Sequence, residues 1–266
     1  MGFFGRKRAP SVPHPRKEPR FNGPLTLERL EQIFQDCVDF TKRPVSLGEG
    51  GACTLTLCYL SGMVKMERVS DYVLRPLAQD EALARCGTPR QAMEEMMGGA
   101  LYNLSAAERT TLDEAAFDLV AGWCLLFFPG ESAVLSLFVG TEEKRSISSP
   151  SNETVLKGSR DAFVESLRTN TSIVRRHLKA PELRIREQVV GRQSVTSVDI
   201  LYIEGLTNPH LVEQVAAQLA DIDIDAVLAT GNIEEYIVPA ARTAFPLVQY
   251  TERSDRFCAG LAEGRV

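Results

Sequence analysis

The sequence predicts an α/β protein built as two subdomains, each a mixed sheet flanked by helices. Three observations carry this. Segments of period 3.6 alternate with short β-branched or apolar runs in both halves of the 266 residues. A polar Ser/Pro-rich stretch, Gly140 to Asn152, separates the halves. The composition, 44% hydrophobic and 24% charged, is that of a globular chain with enough length for two modest cores.

Residues 1–23 read as a disordered basic tail rich in Pro and Arg, with nothing to bury. Residues 1–20 carry six basic side chains against Glu18, a net +5, which leaves −10 on the remainder of a chain of net charge −5. An acidic body with a basic tail argues against nucleic-acid binding, which needs the positive field on the folded surface. The tail fits attraction to anionic lipid head groups or a plain solvated arm. It is no secretory signal, because no apolar core follows it.

The first subdomain, 24–145, opens with a helical period over Leu25–Phe40. A short strand Val45–Leu47 leads through a hairpin turn at Gly48–Gly51 into a second strand, Ala52–Leu60. A phosphate cradle at these glycines would need a helix after them. Glu67–Leu77 reads as a helix truncated by Pro76, and Arg90–Leu101 as a Met-rich helix ended near Gly98-Gly99. Thr111-Leu112-Asp113-Glu114 opens a further helix to Ala121, followed by strands Cys124–Phe128 and Ala133–Val139 joined at Pro129–Ser132.

The second subdomain, 146–266, opens with a helix over Asp161–Leu178, with Phe163, Leu167, Val174 and Leu178 on one stripe. Glu165, Arg168, Arg175 and Lys179 form the opposite, solvated stripe. Leu183–Val190 alternates as a strand with a wet face of Arg184, Arg186 and Gln188, and Val198–Ile203 reads as a central buried strand. Asn208-Pro209 is an N-cap and first-turn signal for a helix with Leu211, Val215 and Leu219 on its inner face. A short strand Leu247–Tyr250 and a last helix Asp255–Ala262 complete the pattern.

Catalytic and metal signatures are weak. Asp221, Asp223 and Asp225 repeat like the start of a calcium loop, but its sixth and twelfth positions are Ala226 and Asn232 instead of Gly and Glu. Alternating Asp and Ile fits an extended segment with Ile222 and Ile224 inward. The three histidines, His14, His177 and His210, lack partners at ligand spacing, and no G-x-S-x-G or H-E-x-x-H occurs. Six cysteines without a C-x-x-C pair read as reduced thiols, and the sequons at Asn103, Asn152 and Asn170 as chance matches. No apolar run reaches the roughly 18–20 residues of a spanning helix. No cofactor or metal is expected.

Contact surfaces are the stronger signal. Glu204 and Glu252-Arg253 follow strands, where ligands gather in open α/β sheets. The arginines at 168, 175, 176, 184, 186 and 192 suggest either a surface for an acidic partner or a solvated face. A free-standing cytosolic enzyme or small-molecule binder would use Glu204 and Glu252.

The second half holds an ordered string of motifs: FVESLRTNTSIVRRHLK from Phe163, VVGRQS from Val189, LYIEGLTNPHLVEQV from Leu201, DIDIDAVLATGNIEEYI from Asp221, FPLVQYTERSDR from Phe245 and LAEGRV ending at Val266. As a set this resembles the A-subunit family of spore germinant receptors, the GerA type, and equally its stage V sporulation AF branch. The first half is similar more loosely, through Tyr59-Leu60-Ser61-Gly62 and TLDEAAFDLVAGWCLLFF from Thr111. The resemblance implies a non-enzymatic soluble domain on the cytosolic side of the spore inner membrane, with a membrane domain after residue 266. It implies assembly with itself and with B- and C-type subunits, in nutrient-triggered germination. The contact residues expected are Glu165, Arg168, Asn170, Arg175, Arg192, Glu204, Tyr250, Glu252 and Arg253. Charge reversal at Arg168 or Arg253 should then impair assembly and spare folding.

Overall fold

The computed structural model describes residues 19–47, 53–100, 105–140, 161–227, 230–238 and 247–266. Their chain contacts divide into two units. The first comprises 19–35, 39–140 and 179–181, and the second 36–38, 161–178 and 182–266, within the described residues. The tail up to residue 18, the Gly48–Gly51 turn and residues 141–160 of the interdomain stretch lie outside the described residues.

The first unit begins with α1 (Leu27–Ile33), N-capped by Thr26, whose Oγ1 accepts the Arg29 N–H at 3.3 Å. The helical period was expected to run on to Phe40. It stops because Asp36 adopts φ 58°, and Cys37 makes a bridge to Ile185 within the second unit. Strands β1 (Phe40–Leu47) and β2 (Cys53–Leu60) pair antiparallel over their full length, so the first strand is longer than Val45–Leu47.

Pro76 does not end its helix. Segment α2 (Met66–Val69) passes into a π-helical turn, Ser70–Leu74, and then into α3 (Arg75–Gln79), with Pro76 in the first turn of α3. A proline lacks an N–H and its ring collides with the carbonyl four residues back. The widened turn just before it absorbs both faults. Next come α4 (Glu81–Ala84) and α5 (Pro89–Glu95), the latter running into a wide turn, Met96–Ala100, where Gly99 holds φ 146°. Strand β3 (Ala106–Arg109) and α4 are elements the hydrophobic pattern did not reveal.

Helix α6 (Leu112–Val120) is N-capped by Thr111, whose Oγ1 accepts the Glu114 N–H at 3.3 Å and donates to the Glu114 carboxylate at 2.8 Å. Strands β4 (Trp123–Phe127) and β5 (Val134–Phe138) follow as expected. The sheet order is β1-β2-β4-β5-β3, antiparallel throughout, where a mixed sheet was expected. Leu55, Leu57, Leu126, Leu135 and Leu137 form one face of the core with Val69, Val73, Leu77, Leu83 and Met93 from α2–α5. On the other face, Asp118 of α6 accepts from Ser136 Oγ at 2.6 Å and from Arg109 at 2.7 and 3.3 Å. Asp113 Oδ1 accepts the backbone N–H groups of Arg20 and Phe21 at 3.0 and 3.3 Å.

In the second unit α7 (Leu167–His177) is followed by the hairpin β6 (Leu183–Val190) and β7 (Thr196–Ile203), then α8 (Pro209–Ala220), α9 (Thr230–Ile237) and α10 (Ser254–Ala262). The two strands pair antiparallel, and Cys37 adds one isolated parallel bridge to Ile185. Among the described residues β7 pairs with β6 alone, so it is not the central strand expected. One face carries Val174, Leu183, Ile185, Leu201, Cys258 and Leu261, from the strands, α7 and α10. The other carries Val190, Ile200, Tyr202, Val212, Ala216 and Leu219, from the strands and α8.

This second layer overturns the wet face assigned to β6. Arg186 reaches Glu213 of α8 at 2.7 Å, and Gln188 Nε2 donates to the Ala216 carbonyl at 3.2 Å. The inner face of α8 is Val212, Ala216 and Leu219, and Leu211 is exposed. Helix α9 was not anticipated, and Leu247–Tyr250 forms no strand. Ile222 and Ile224 are half-buried between exposed aspartates, the alternation expected of an extended segment. All six cysteines are free. Among the described residues no helix is long and apolar enough to cross a membrane.

Candidate functional site: the charged surfaces of the second unit

Helix α7 starts at Leu167, six residues later than Asp161, for two local reasons. Ser166 caps it, accepting the Thr169 N–H at 3.4 Å. The Asn170 side chain accepts the Val164 N–H at 2.8 Å and donates to the Val164 carbonyl at 2.7 Å, which holds the preceding chain out of the helix. That chain pairs instead with the approach to α10. Ala162 bridges Arg253, and the Phe163 N–H donates to the Glu252 carbonyl at 2.9 Å. Phe163 then packs edge-on against Phe257, with ring centroids 5.4 Å apart. Asn170 and Glu252 are thus brought to one junction with Arg253, whose guanidinium clamps Asp255 at 3.0 and 2.6 Å. The Arg253 hydrogen bond holds the Asp255 carboxyl below its usual range.

Arg168 lies over the sheet. Its guanidinium contacts Glu187 at 2.6 Å and Asp199 at 3.2 Å, two residues that face each other across β6 and β7. Arg175, assigned to the solvated stripe, is completely buried, and its Nη1 donates to the Leu183 carbonyl at 3.2 Å. Solvation fails there because Val174 of α7 and Leu183 of β6 share one apolar cluster, and the guanidinium finds an acceptor inside it. Arg184 is buried with its Nε 3.9 Å from Glu204, whose own side chain is 54% exposed.

The motifs at 189–194 and 221–227 form one clasp. Arg192 N–H donates to the Ile224 carbonyl at 3.0 Å, and Gln193 N–H to the Asp225 carbonyl at 2.8 Å. Ser194 Oγ receives the Val227 N–H at 3.0 Å, and the Arg192 guanidinium meets Asp223 at 2.6 Å. The aspartate repeat is therefore engaged by an arginine.

Spacing alone gave no hint of one cluster. His177 Nε2 stands 3.3 Å from Asp161 Oδ2 and 3.3 Å from Ser254 Oγ. A nucleophile relay needs the two ring nitrogens on different partners, one for the carboxylate and one for the hydroxyl. Here one nitrogen serves both, and the Ser254 hydroxyl also reaches the Asp161 carbonyl at 3.0 Å. The cluster pins residue 161 to the start of α10. Of the nine sequence-predicted contact residues, Glu165, Arg192, Glu204 and Tyr250 are exposed, Tyr250 at 62%.

The chain as a whole has counterparts. The Bacillus/Clostridium GerA spore germination protein family matches residues 28–266. The chain belongs to that family. Among its GerA relatives, the uncharacterized membrane protein YfkQ of Bacillus subtilis is 35% identical over 90% of this chain and 45% of its own length. Spore germination protein KA of the same organism is 32% identical over 85% of this chain and 41% of its own length. The chain therefore spans less than half of these relatives. The crystal structure of the N-terminal domain of the A subunit of the Bacillus megaterium spore germinant receptor GerK3 superposes with a TM-score of 0.70. That likeness covers 92% of this chain and 91% of the other at 26% identity.

Proposed function

We propose that this chain is the N-terminal, non-membrane domain of an A-type germinant receptor subunit, acting in nutrient-triggered spore germination as an assembly and signalling module. The observation that carries the reading is the end-to-end likeness, 92% of this chain against 91% of the GerK3 domain. In this reading the domain lies at the cytosolic face of the spore inner membrane, attached to membrane helices in the rest of the protein. It assembles with itself and with B- and C-type subunits. Its role is contact rather than catalysis, and the geometry of Asp161, His177 and Ser254, which share one histidine nitrogen, favours that over a hydrolase.

The test is genetic. Spores lacking the full-length gene should lose germination with at least one amino acid or sugar across a panel, and the intact gene should restore it. A deletion strain that germinates like its parent with every nutrient sinks the proposal.

A further inference from the structure

The turn that joins β6 to β7 closes on a strained residue. Val195 adopts φ 46° and is 64% exposed. A β-branched residue is rarely found in this left-handed region, where its Cβ crowds the carbonyl oxygen. The bonds on either side hold it there. Val195 N–H donates to the Gly191 carbonyl at 3.2 Å, and Thr196, next in the chain, pairs with Val190. Just before it, residues 192–194 are tied by the clasp: the Arg192 and Gln193 N–H groups donate to Ile224 and Asp225, and the Val227 N–H to Ser194 Oγ. The Ser194–Val227 bond is exposed. The Arg192–Asp223 side chains are 67% and 69% exposed, so their ion pair adds little.

The clasp also positions the cover of an apolar face. Ile222 and Val227 of the clasped stretch, with Ile233 and Ile237 of α9, pack partly buried on the cluster that holds Val190, Ile200, Tyr202 and Leu219, each at most 7% exposed. The opposite face of the hairpin is closed more deeply, with Leu183 and Ile185 completely buried in the cluster they share with α7 and α10. Helix α9 has eight residues, too few to persist in water without the face it covers. We infer that the clasp is a strained latch. On release, Val195 relaxes to an ordinary backbone angle, and 222–227 lifts together with α9 from the α8 side of the hairpin. That side is uncovered while α7 and α10 stay folded on the other. Strain at Val195 favours release, and the clasp bonds and the burial of the four covering side chains oppose it. Elements that open in this way are drawn from the least stable part of a domain.

Amide hydrogen exchange of the 266-residue chain, followed by NMR, tests the latch. The Val227 and Ile237 N–H groups should share one opening and be protected at least ten-fold less than Cys258 and Leu261 of α10. Their exchange should quicken by a common factor in sub-denaturing urea, because the opening uncovers apolar surface. Val195→Asn supplies a residue that accepts the left-handed region, and should raise protection about ten-fold at Val227 and Ile237 alike. Ser194→Ala removes the acceptor of the Val227 N–H and should lower protection at both sites together. A response at Val227 with none at Ile237 overturns the inference, since α9 then moves independently of the clasp. So does protection at Ile237 equal to that of α10, which would mean that α9 opens only when the whole unit unfolds. Val195→Asn relieves strain, so it decides the matter even if Ser194→Ala weakens the entire chain.

Discussion

Glu187 and Asp199 oppose each other across the β6–β7 hairpin, and Arg168 sits over the pair at 2.6 and 3.2 Å. Ile185 directs its N–H and C=O to residues 36–38. Alternate positions of β6, Glu187 among them, are therefore the non-hydrogen-bonded sites, where facing Cβ atoms come closest. Two carboxylates there repel unless a cation spans them.

The consequence for Arg168 departs from the reading in which its charge reversal spares the fold. Arg168→Ala should lower the stability of the second unit by about 1–3 kcal/mol, because Asp199 is left buried beside a like charge. Arg168→Glu should cost more. Urea unfolding followed by circular dichroism measures this, and adding Asp199→Asn to Arg168→Ala should recover part of the loss. Unaltered stability in Arg168→Glu would return Arg168 to the surface contacts.

Asn170 brackets the chain that precedes α7. Asn170→Ala removes both hydrogen bonds to Val164 and should cost about 1–2 kcal/mol. Asn170→Asp keeps the acceptor for the Val164 N–H but sets a carboxylate against the Val164 carbonyl, and should also destabilise. Thermal unfolding of the two variants checks the order.

Gly191 holds φ +90°, and a Cβ there would fall 2.3 Å from Ser194 Oγ. That hydroxyl receives the Val227 N–H. Gly191→Ala should combine backbone strain of about 1–2 kcal/mol with loss of the clasp. Faster amide exchange at Val227 than in the parent is the specific readout, and an unchanged rate would place the clasp elsewhere.

The thiols give a pH prediction. Burial pushes Cys58 and Cys124 up to about 12 and Cys258 up to about 11. In the unfolded chain a thiol ionises near its ordinary value of about 8.5. The folded state then holds its protons more tightly, so this contribution to stability is complete below about pH 8.5 and falls as pH rises towards 11–12. Urea midpoints should drop progressively above pH 9. Replacing Cys58 and Cys124 by alanine should flatten that slope even if it lowers stability overall.

Local signals were legible and distant ones were not. Thr111 with Glu114, and Asn208 with Pro209, announce their helices because capping involves neighbours within four residues. The end of α1 was hidden, since residues 36–38 are held by backbone hydrogen bonds to Ile185, far along the sequence. Arg175 looked solvated because its periodicity matches Arg168, whereas its burial depends on the Leu183 carbonyl at the start of β6. Arg168, Arg192 and Arg253 were read as contact residues, and each holds a carboxylate of its own unit that the spacing did not announce.

That internal pairing bears on how the second unit meets anything else. Arg168, Arg186, Arg192 and Arg253 each hold a carboxylate of the same unit within 2.7 Å. Partners approaching these arginines would have to break an existing ion pair, which offsets the gain of making a new one. Salt should therefore alter association through these four arginines little, because each is already committed to a carboxylate of its own unit.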